Sequence, residues 1–419
     1  MVKRSIMHID ANSAYLSWTA VDLLERGHPL DVRTVPSVIA GDPASRHGII
    51  LTKSIPAKKY GIGTGESLME ARQRCPHLVV LPPDYDLYLK CSDAMHRILS
   101  GYSGVIERYS VDECWMDYTG SEALHGDPVT VAYEIKERIK RELGFTVNIG
   151  VSVNKLLAKM GSELLKPDMV HTLFPEEIER KLWPLPVGEL FFVGRATKRK
   201  LLSIGIKTIG EIAAADPALL RAVLKPVHGT RVWEYANGID RSPVNPTGGI
   251  IQKGVGNSTT IPYDVHTARE AREVLLAICE RVGYRLRKRK ACALVASVTV
   301  RNADLLWYSH QRTLDHAVMT TTEIYEAACA LFDEMWKGEA VRQLGVHLGS
   351  LAPEAYRQAS LFDRDDEEKL KRVDAAVDRI RKAYGDYAIT RGTFVNTELD
   401  PILGGVNDGH YLMMGGYSL

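Results

Sequence analysis

Ile6, His8 and Asp10 alternate with Ser5, Met7 and Ile9, and the run stops at the small residues Ala11 to Ala14. This predicts a short strand with Asp10 at its end. Asn12 or Ser13 can cap the helix that follows, in which Ala14, Trp18, Val21 and Leu24 recur at helical spacing up to Gly27. Tyr102 to Tyr118 reads as two strands, Asp127 to Leu143 as a helix with Val131, Ile135 and Ile139 on one face, and Phe145, Val147, Ile149 and Val151 alternate as another strand. Asn154 to Leu165 is a further helix, closed by Lys166-Pro167. Strand, helix, strand, strand, helix, strand, helix fits a ferredoxin-like α+β layer, interrupted by a polar insertion over about residues 28–76.

After Pro167 the texture changes to short helices broken by glycine, and the Pro/Gly-rich SPVNPTGG from Ser242 to Gly249 reads as a linker. Beyond it the pattern predicts a strand at Ala293 to Arg301, a helix at Thr320 to Trp336, a strand at Arg342 to Leu348 and an amphipathic helix at Glu367 to Tyr384. The fold class is therefore α+β and multidomain, and 419 residues at one domain per 150 or so leave room for about three cores.

Composition narrows the class further. Hydrophobic residues at 45% and charged residues at 25% exclude disorder, collagen and a disulfide scaffold as the main description. Lys plus Arg number 53 against 52 Asp plus Glu, a net +1, so a polyanion site must be a local concentration of charge. Cys75, Cys91, Cys114, Cys279, Cys292 and Cys329 show no metal-ligand spacing and read as reduced thiols of a cytoplasmic protein. The opening MVKRSIMHID is too short an apolar run for a signal peptide, and no stretch of about 18 apolar residues follows, so no membrane role is expected.

The sharpest chemical feature is SVDECWMD, where Asp112 and Glu113 stand side by side in a strand-like run. Adjacent carboxylates repel and cost desolvation if buried, so a cation is the natural compensation. Strict strand alternation would aim them at opposite faces, so a shared site requires a local bend or one residue reaching around from an edge. Asp10 would add a third oxygen ligand, and oxygen ligands without His or Cys suit a hard cation such as Mg²⁺. A solvated acidic loop would look the same in isolation.

IDANSAYLS, YSVDECWMD, GVSVNKLLAKMGSELLKP and the glycine-punctuated helical domain, in that order, resemble a bacterial Y-family (translesion) DNA polymerase of the UmuC/DinB-like kind. The resemblance runs from residue 6 to about 385. It implies a right-hand architecture, with a palm at 1–27 and 77–168, fingers at 28–76, a helix-hairpin-helix thumb at 169–245, a little finger at 246–350 and a C-terminal tail at 351–419. It also implies a template-directed polymerase that adds deoxynucleotides (dNTPs) to a primer 3′-OH, at low fidelity and without proofreading. Asp10, Asp112 and Glu113 match the metal-binding catalytic carboxylates and Ala11 the backbone ligand for two Mg²⁺ ions, whose use is phosphoryl transfer.

Tyr15 matches the steric gate against the 2′-OH. TKSIPAKKYGIGTG matches the fingers motif with Lys58 at the usual Arg position and Ile55 at the usual Tyr, so the Tyr hydroxyl contact is lost while Lys58 keeps a point charge for the triphosphate. Lys166 matches a second phosphate lysine. Gly194 and Gly205, with Arg195 and Lys198 beside them, match turns whose amides approach DNA phosphate, although Phe192 replaces the first Gly of the usual Gly-x-Gly and is expected to distort that hairpin.

Arg287, Arg289 and Arg301 are candidate DNA contacts of the third domain. Gln358, Ser360, Leu361 and Phe362 form a QxSLF peptide resembling those that dock on the sliding clamp. The partners expected are primer-template DNA and the clamp, with the chain itself a monomer. A catalytically idle DNA-bound scaffold that recruits the clamp, or a palm enzyme of another kind such as a cyclase, are the rival readings. The intact Asp10, Asp112 and Glu113 argue against the first, and a cyclase has no use for a thumb or a clamp peptide.

Overall fold

A computed structural model of the chain describes residues 4–42, 46, 48–246, 253–354, 367–395, 397 and 399–402. They divide into two compact units, the first holding the described residues up to 246 except 41–49, the second the remainder.

In chain order the first unit begins with β1 (Ile6–Ala11) and α1 (Ala14–Glu25), followed by β2 (Ser37–Ala40), β3 (Ile50–Lys53), α2 (Ile55–Lys58), α3 (Leu68–Arg74) and β4 (Val79–Leu81). It continues through α4 (Tyr85–Leu99), β5 (Ile106–Arg108), β6 (Glu113–Asp117), α5 (Glu122–His125), α6 (Pro128–Leu143), β7 (Val147–Ser152), α7 (Lys155–Glu163) and β8 (Val170–Thr172). Four further helices of the glycine-rich region follow α8 (Ile178–Lys181): α9 (Arg195–Ser203), α10 (Ile209–Ala214), α11 (Pro217–Leu224) and α12 (Pro226–Ala236).

The central sheet has the order β5-β6-β1-β7-β8, with β1 antiparallel to both β6 and β7. The period of two divides β1 cleanly. Met7, Ile9 and Ala11 join a core with Trp18, Tyr88, Met95, Val131, Ile135 and Ile149, so α1, α4 and α6 cover that face. Ile6 packs with Trp115 and Ala158 on the opposite face, under α7. Helix α4 is not among the predicted elements, because its buried stripe includes Tyr88 and Ser92, which blunt the apolar repeat.

The inserted lobe has its own small sheet, β3-β2-β4, and its own core around Val38, Ile50, Leu68 and Leu78. Its last strand reaches Leu81, past the expected boundary at 76. Helix α1 has Ser13 at its N-cap with φ 48°, and the Ser13 hydroxyl makes no cap bond. The Asn12 side chain does not cap either. It donates to Asn148 Oδ1 at 3.1 Å, and its Oδ1 accepts from Thr146 Oγ1 at 2.9 Å and from the Asp168 amide at 2.9 Å.

The second unit contains β9 (Gly254–Val265), α13 (Ala268–Lys288), β10 (Ala291–Asn302), β11 (Trp307–Val318), α14 (Thr321–Met335), β12 (Val341–Pro353) and α15 (Glu367–Tyr384). Its antiparallel sheet runs β11-β10-β12-β9. Val274, Ile278, Val298, Phe332 and Leu344 lie in the core between that sheet and helices α13 and α14. Helix α15 has the predicted bounds but is more than a tail element. Arg287 of α13 binds Asp374 at 3.0 Å and Asp378 at 2.8 Å, and Arg381 binds Glu280 at 2.6 Å, so ion pairs fasten α15 to α13.

Candidate active site

Asp10 stands directly across from Glu113 in the β1–β6 pairing and from Asn148 in the β1–β7 pairing. Paired residues of antiparallel strands share a face, so Asp10 and Glu113 project together on the side opposite the Met7–Ile9 core. Asp112 precedes β6 at a bend, where its carbonyl accepts the Ala11 amide at 3.0 Å and its carboxylate accepts the Ser110 hydroxyl.

Helix α7 lies over this face because two glycines let it approach. A Cβ on Gly150 of β7 would fall 1.9 Å from the Ala158 carbonyl oxygen, and one on Gly161 would fall 3.3 Å from the Gly150 Cα. No side chain fits at Gly150, and one at Gly161 would press the helix off the strand. Asn154 starts the helix by accepting the Leu157 amide at 2.8 Å. The helix then delivers Lys159, Ser162 and Glu163 over β1, with Lys166 just beyond its end.

The outcome is a charged cluster. Ligand oxygens of Asp10, Glu113 and Glu163 lie within 4.8 Å of one another. Lys166 Nζ is 3.0 Å from Asp10 Oδ2 and 2.9 Å from Glu163 Oε2, and Lys159 Nζ is 2.6 Å from Glu113 Oε2. His8, two residues before Asp10 on the same face, is fully buried, with Nδ1 at 2.8 Å from Ser162 Oγ and Nε2 at 3.4 Å from Glu113 Oε2. Asp112 is not a member of the close trio. Glu163, Lys159 and His8 belong to the site without having been singled out in the sequence. Their signal was weak, since Glu163 and Lys159 look like solvated helix residues until Gly150 and Gly161 are seen to seat that helix on the strand.

Burial pushes the Asp10 carboxyl up to about 7; Lys166 opposes that shift and Glu113 and Glu163 reinforce it. Glu113 goes the other way. Burial would raise it, but His8 and Lys159 hold it at about 2. The His8 imidazole falls to about 4, through burial first and the Lys159 charge second, so it is neutral near pH 7. Burial raises Asp112, partly offset by Ser110, and the charges of Glu113 and Lys159 act on it. An all-oxygen set that is buried at Asp10 and opens to solvent at Glu163, and whose Asp10 resists ionisation, is a site short of positive charge, and its chemistry suits a hard divalent cation. These residues fit the metal that the resemblance implies.

Residues 9–163 match the model of the impB/mucB/samB family, and residues 252–361 match that family's C-terminal domain. DNA polymerase IV of Clostridium acetobutylicum is 48% identical over 95% of this chain and 100% of its own length. DNA polymerase IV 2 of Bacillus subtilis is 36% identical over 93% of this chain and 94% of its own. The chain belongs to the Y-family of DNA polymerases. It is a DNA-directed DNA polymerase of the translesion type, and its nucleotidyl transfer is metal-dependent. Among solved structures, a "Y-family DNA polymerase chimera Dbh-Dpo4(243-245)-Dbh" shares the fold at TM-score 0.71 and 21% identity, covering 83% of this chain and 98% of that one. DinB from Sulfolobus solfataricus is a more distant fold match at TM-score 0.53 and 22% identity, covering 82% and 98%.

Elsewhere in this Y-family polymerase, Tyr15 opens α1 with its ring stacked on Tyr88 at 4.2 Å and 5°. Burial and the charge of Asp112 push its hydroxyl up to about 12. Lys58 is exposed at the end of α2, and its charge, after burial, helps lower Lys53 on β3. Ile55 is half exposed.

Gly194 caps α9 with open space around it, Arg195 and Lys198 are exposed in that helix, and Gly205 ends it at φ 85°. Phe192 was expected to distort the first hairpin. It takes φ 73°, the conformation a glycine would have supplied, and the turn into α9 is retained. Its ring packs edge-on against Phe191 at 4.7 Å and Tyr235 at 5.8 Å.

In the second unit one DNA-contact expectation is corrected. Arg287, its side chain only 11% exposed, is committed to Asp374, Asp378 and Thr321, so it is a fastening for α15 and not a surface cation. A basic run at a helix end has an inward side, and Arg287 is on it. Arg289 is exposed, and its Nη1 donates to the Arg285 carbonyl at 2.8 Å. Arg301 lies in β10 beside Trp307, with its guanidinium 5.4 Å from the indole centroid. Gln358, Ser360, Leu361 and Phe362 lie outside the described residues. No helix among the described residues is long and apolar enough to cross a membrane.

Proposed function

We propose that the polymerase extends a DNA primer on its template using two Mg²⁺ ions held by Asp10, Asp112, Glu113 and the Ala11 carbonyl. The observation that carries this reading is the meeting of Asp10 and Glu113 carboxylates, with Glu163, inside 4.8 Å on one face of the sheet. When bound, the ions supply activation of the primer 3′-OH and neutralisation of the triphosphate.

The chain's own residues position and select. Lys166 and Lys58 offer point charges to the phosphates of a dNTP, Lys166 from beside Asp10 and Lys58 from the inserted lobe. The Tyr15 ring, fixed against Tyr88, fills the space a 2′-OH would need. The amides and cations at Gly194, Arg195, Lys198 and Gly205 hold DNA phosphate without reading bases. Arg289 and Arg301 add backbone contacts from the second unit.

In domain terms the five-stranded sheet with α4, α6 and α7 serves as palm, the inserted lobe as fingers, α9 to α12 as thumb and the second unit as little finger. Gln358, Ser360, Leu361 and Phe362 dock the chain, acting as a monomer in the cytoplasm, on the sliding clamp. Clamp stimulation that survives Leu361→Ala with Phe362→Ala removes that last element.

Primer extension with Mg²⁺ and dNTPs on undamaged and abasic templates tests the reading. Extension on both, abolished by chelation, is the expected result; no nucleotide addition on either template contradicts it.

A further inference from the structure

His8 takes no part in the scheme above, yet it is fully buried beside one of the proposed metal-binding carboxylates. Its side chain is 0% exposed. It sits on the same face of β1 as Asp10, across from Trp115, whose ring lies 5.1 Å away at 60°. Nδ1 has a partner, Ser162 Oγ at 2.8 Å. Nε2 lies 3.4 Å from Glu113 Oε2 and completes no hydrogen bond, leaving a buried ring nitrogen beside one specific carboxylate oxygen.

A single imidazole proton can be placed in two ways in this trio. Ser162 Oγ is 2.8 Å from the Lys159 carbonyl, within its own helix, and 2.8 Å from His8 Nδ1. If the hydroxyl donates to the carbonyl, His8 carries its proton on Nδ1 and turns a lone pair toward Glu113, which is repulsive. If the hydroxyl donates to Nδ1, the imidazole carries its proton on Nε2 and offers it to Glu113. The second arrangement sets a donor, and not a lone pair, against the Glu113 carboxylate oxygen.

We infer that His8 is a positioning residue for Glu113: Ser162 sets the imidazole tautomer, and the Nε2–H then holds the Glu113 carboxylate in place for the metal. This rests on the reading of Asp10 and Glu113 as metal ligands. Lys159 holds Glu113 by a charge at 2.6 Å on a flexible stem, whereas His8 is a rigid ring fixed in the core that faces the same oxygen from one direction. Groups bonded behind a metal-binding side chain commonly govern its affinity in this manner. The relay also ties β1, β6 and α7 together at one point, since His8, Glu113 and Ser162 each come from a different element.

The test is Mn²⁺ binding followed by electron paramagnetic resonance, with neither DNA nor nucleotide present, on the full chain carrying His8→Leu, His8→Gln, Ser162→Ala or Asp10→Asn. His8→Leu is expected to weaken Mn²⁺ binding by roughly 10- to 100-fold, and His8→Gln, which keeps a side-chain N–H donor, to recover part of it. Ser162→Ala is expected to weaken binding less and to add nothing to His8→Leu. Nitrogen-15 shifts of the wild-type imidazole are expected to show the proton on Nε2, a readout that needs no variant to fold. Wild-type affinity in a folded His8→Leu protein, or a proton on Nδ1, overturns the inference. Asp10→Asn separates the two levels, because unchanged Mn²⁺ binding there defeats the reading of the site itself.

Discussion

Asp10 sits directly across the β1–β6 pairing from Glu113, and both carboxylates emerge on the face that α7 covers. Sheet register alone therefore joins residues a hundred positions apart, and the nearness of α7 decides what surrounds them. Gly150 is where that nearness is enforced. Gly150→Ala is expected to destabilise the first unit by about 1–3 kcal/mol or more, the cost of overpacking against a backbone carbonyl that cannot step aside. Thermal melts check the stability, and Mn²⁺ titration checks whether the carboxylate cluster loosens with it; an unchanged melt would mean that α7 does not need the glycine.

Tyr15 is held by its neighbour as well as by its helix. Tyr15→Ala is expected to raise ribonucleotide incorporation by on the order of tenfold or more, equivalent to about 1.4 kcal/mol of lost discrimination. It should also lose roughly 0.5–1.5 kcal/mol of ring stacking with Tyr88. Competitive incorporation of ribo- and deoxynucleotides measures the first effect and denaturant melts the second. Sugar selectivity equal to wild type would remove the gate from Tyr15.

Arg287 and Arg301 should separate cleanly. Breaking the buried fastening with Arg287→Met is expected to cost about 3–5 kcal/mol, because Asp374 and Asp378 are left without their counter-charge. Arg301→Ala is expected to leave the melt alone and reduce the salt slope of DNA binding by about one unit. Binding isotherms at several salt concentrations on whichever variants remain folded decide it. A salt slope lowered by Arg287→Met in folded protein would restore Arg287 as a DNA contact.

Glu280 gives the second unit a pH dependence. It is 4% exposed and bonded to both Arg381 and Arg391. Burial works against its charge, but Arg391 and Arg381 outweigh it and keep its carboxyl below the ordinary range. A carboxylate depressed in the folded state binds its proton more readily when unfolded. Its stabilisation is thus complete above the unfolded value, about 4.3, and is lost as pH falls through the lower, folded one. Denaturant melts across that window should show a drop that Glu280→Gln, already less stable at neutral pH, does not share. Parallel pH curves for the two proteins would assign the acid sensitivity elsewhere.

The strand carrying Asp10, the helices either side of it and the Asp112–Glu113 pair were legible because each is a local pattern: alternation, helical spacing, or adjacent like charges. What surrounds the carboxylates was not, because it depends on how far one helix stands from one strand. Glu163 and Lys159 read as ordinary solvated helix residues until Gly150 and Gly161 are seen to remove the side chains that would hold α7 away. His8 matched a strand pattern and nothing more. Arg287 was misread for the complementary reason: five basic residues at the end of α13 look alike in one dimension, while the packing of α15 turns one of them inward. Phe192 was read as a departure at a glycine position, and it takes a positive φ with neighbouring aromatic rings packed against it.

The most direct measurement is single-turnover primer extension by wild type and by Glu113→Gln, side by side, in saturating Mg²⁺ and dNTP. The metal–carboxylate arrangement is worth several kcal/mol of barrier, so the variant should be slower by on the order of 10³-fold or more with its melt retained. A Glu113→Gln protein that extends primers at the wild-type rate would contradict the account.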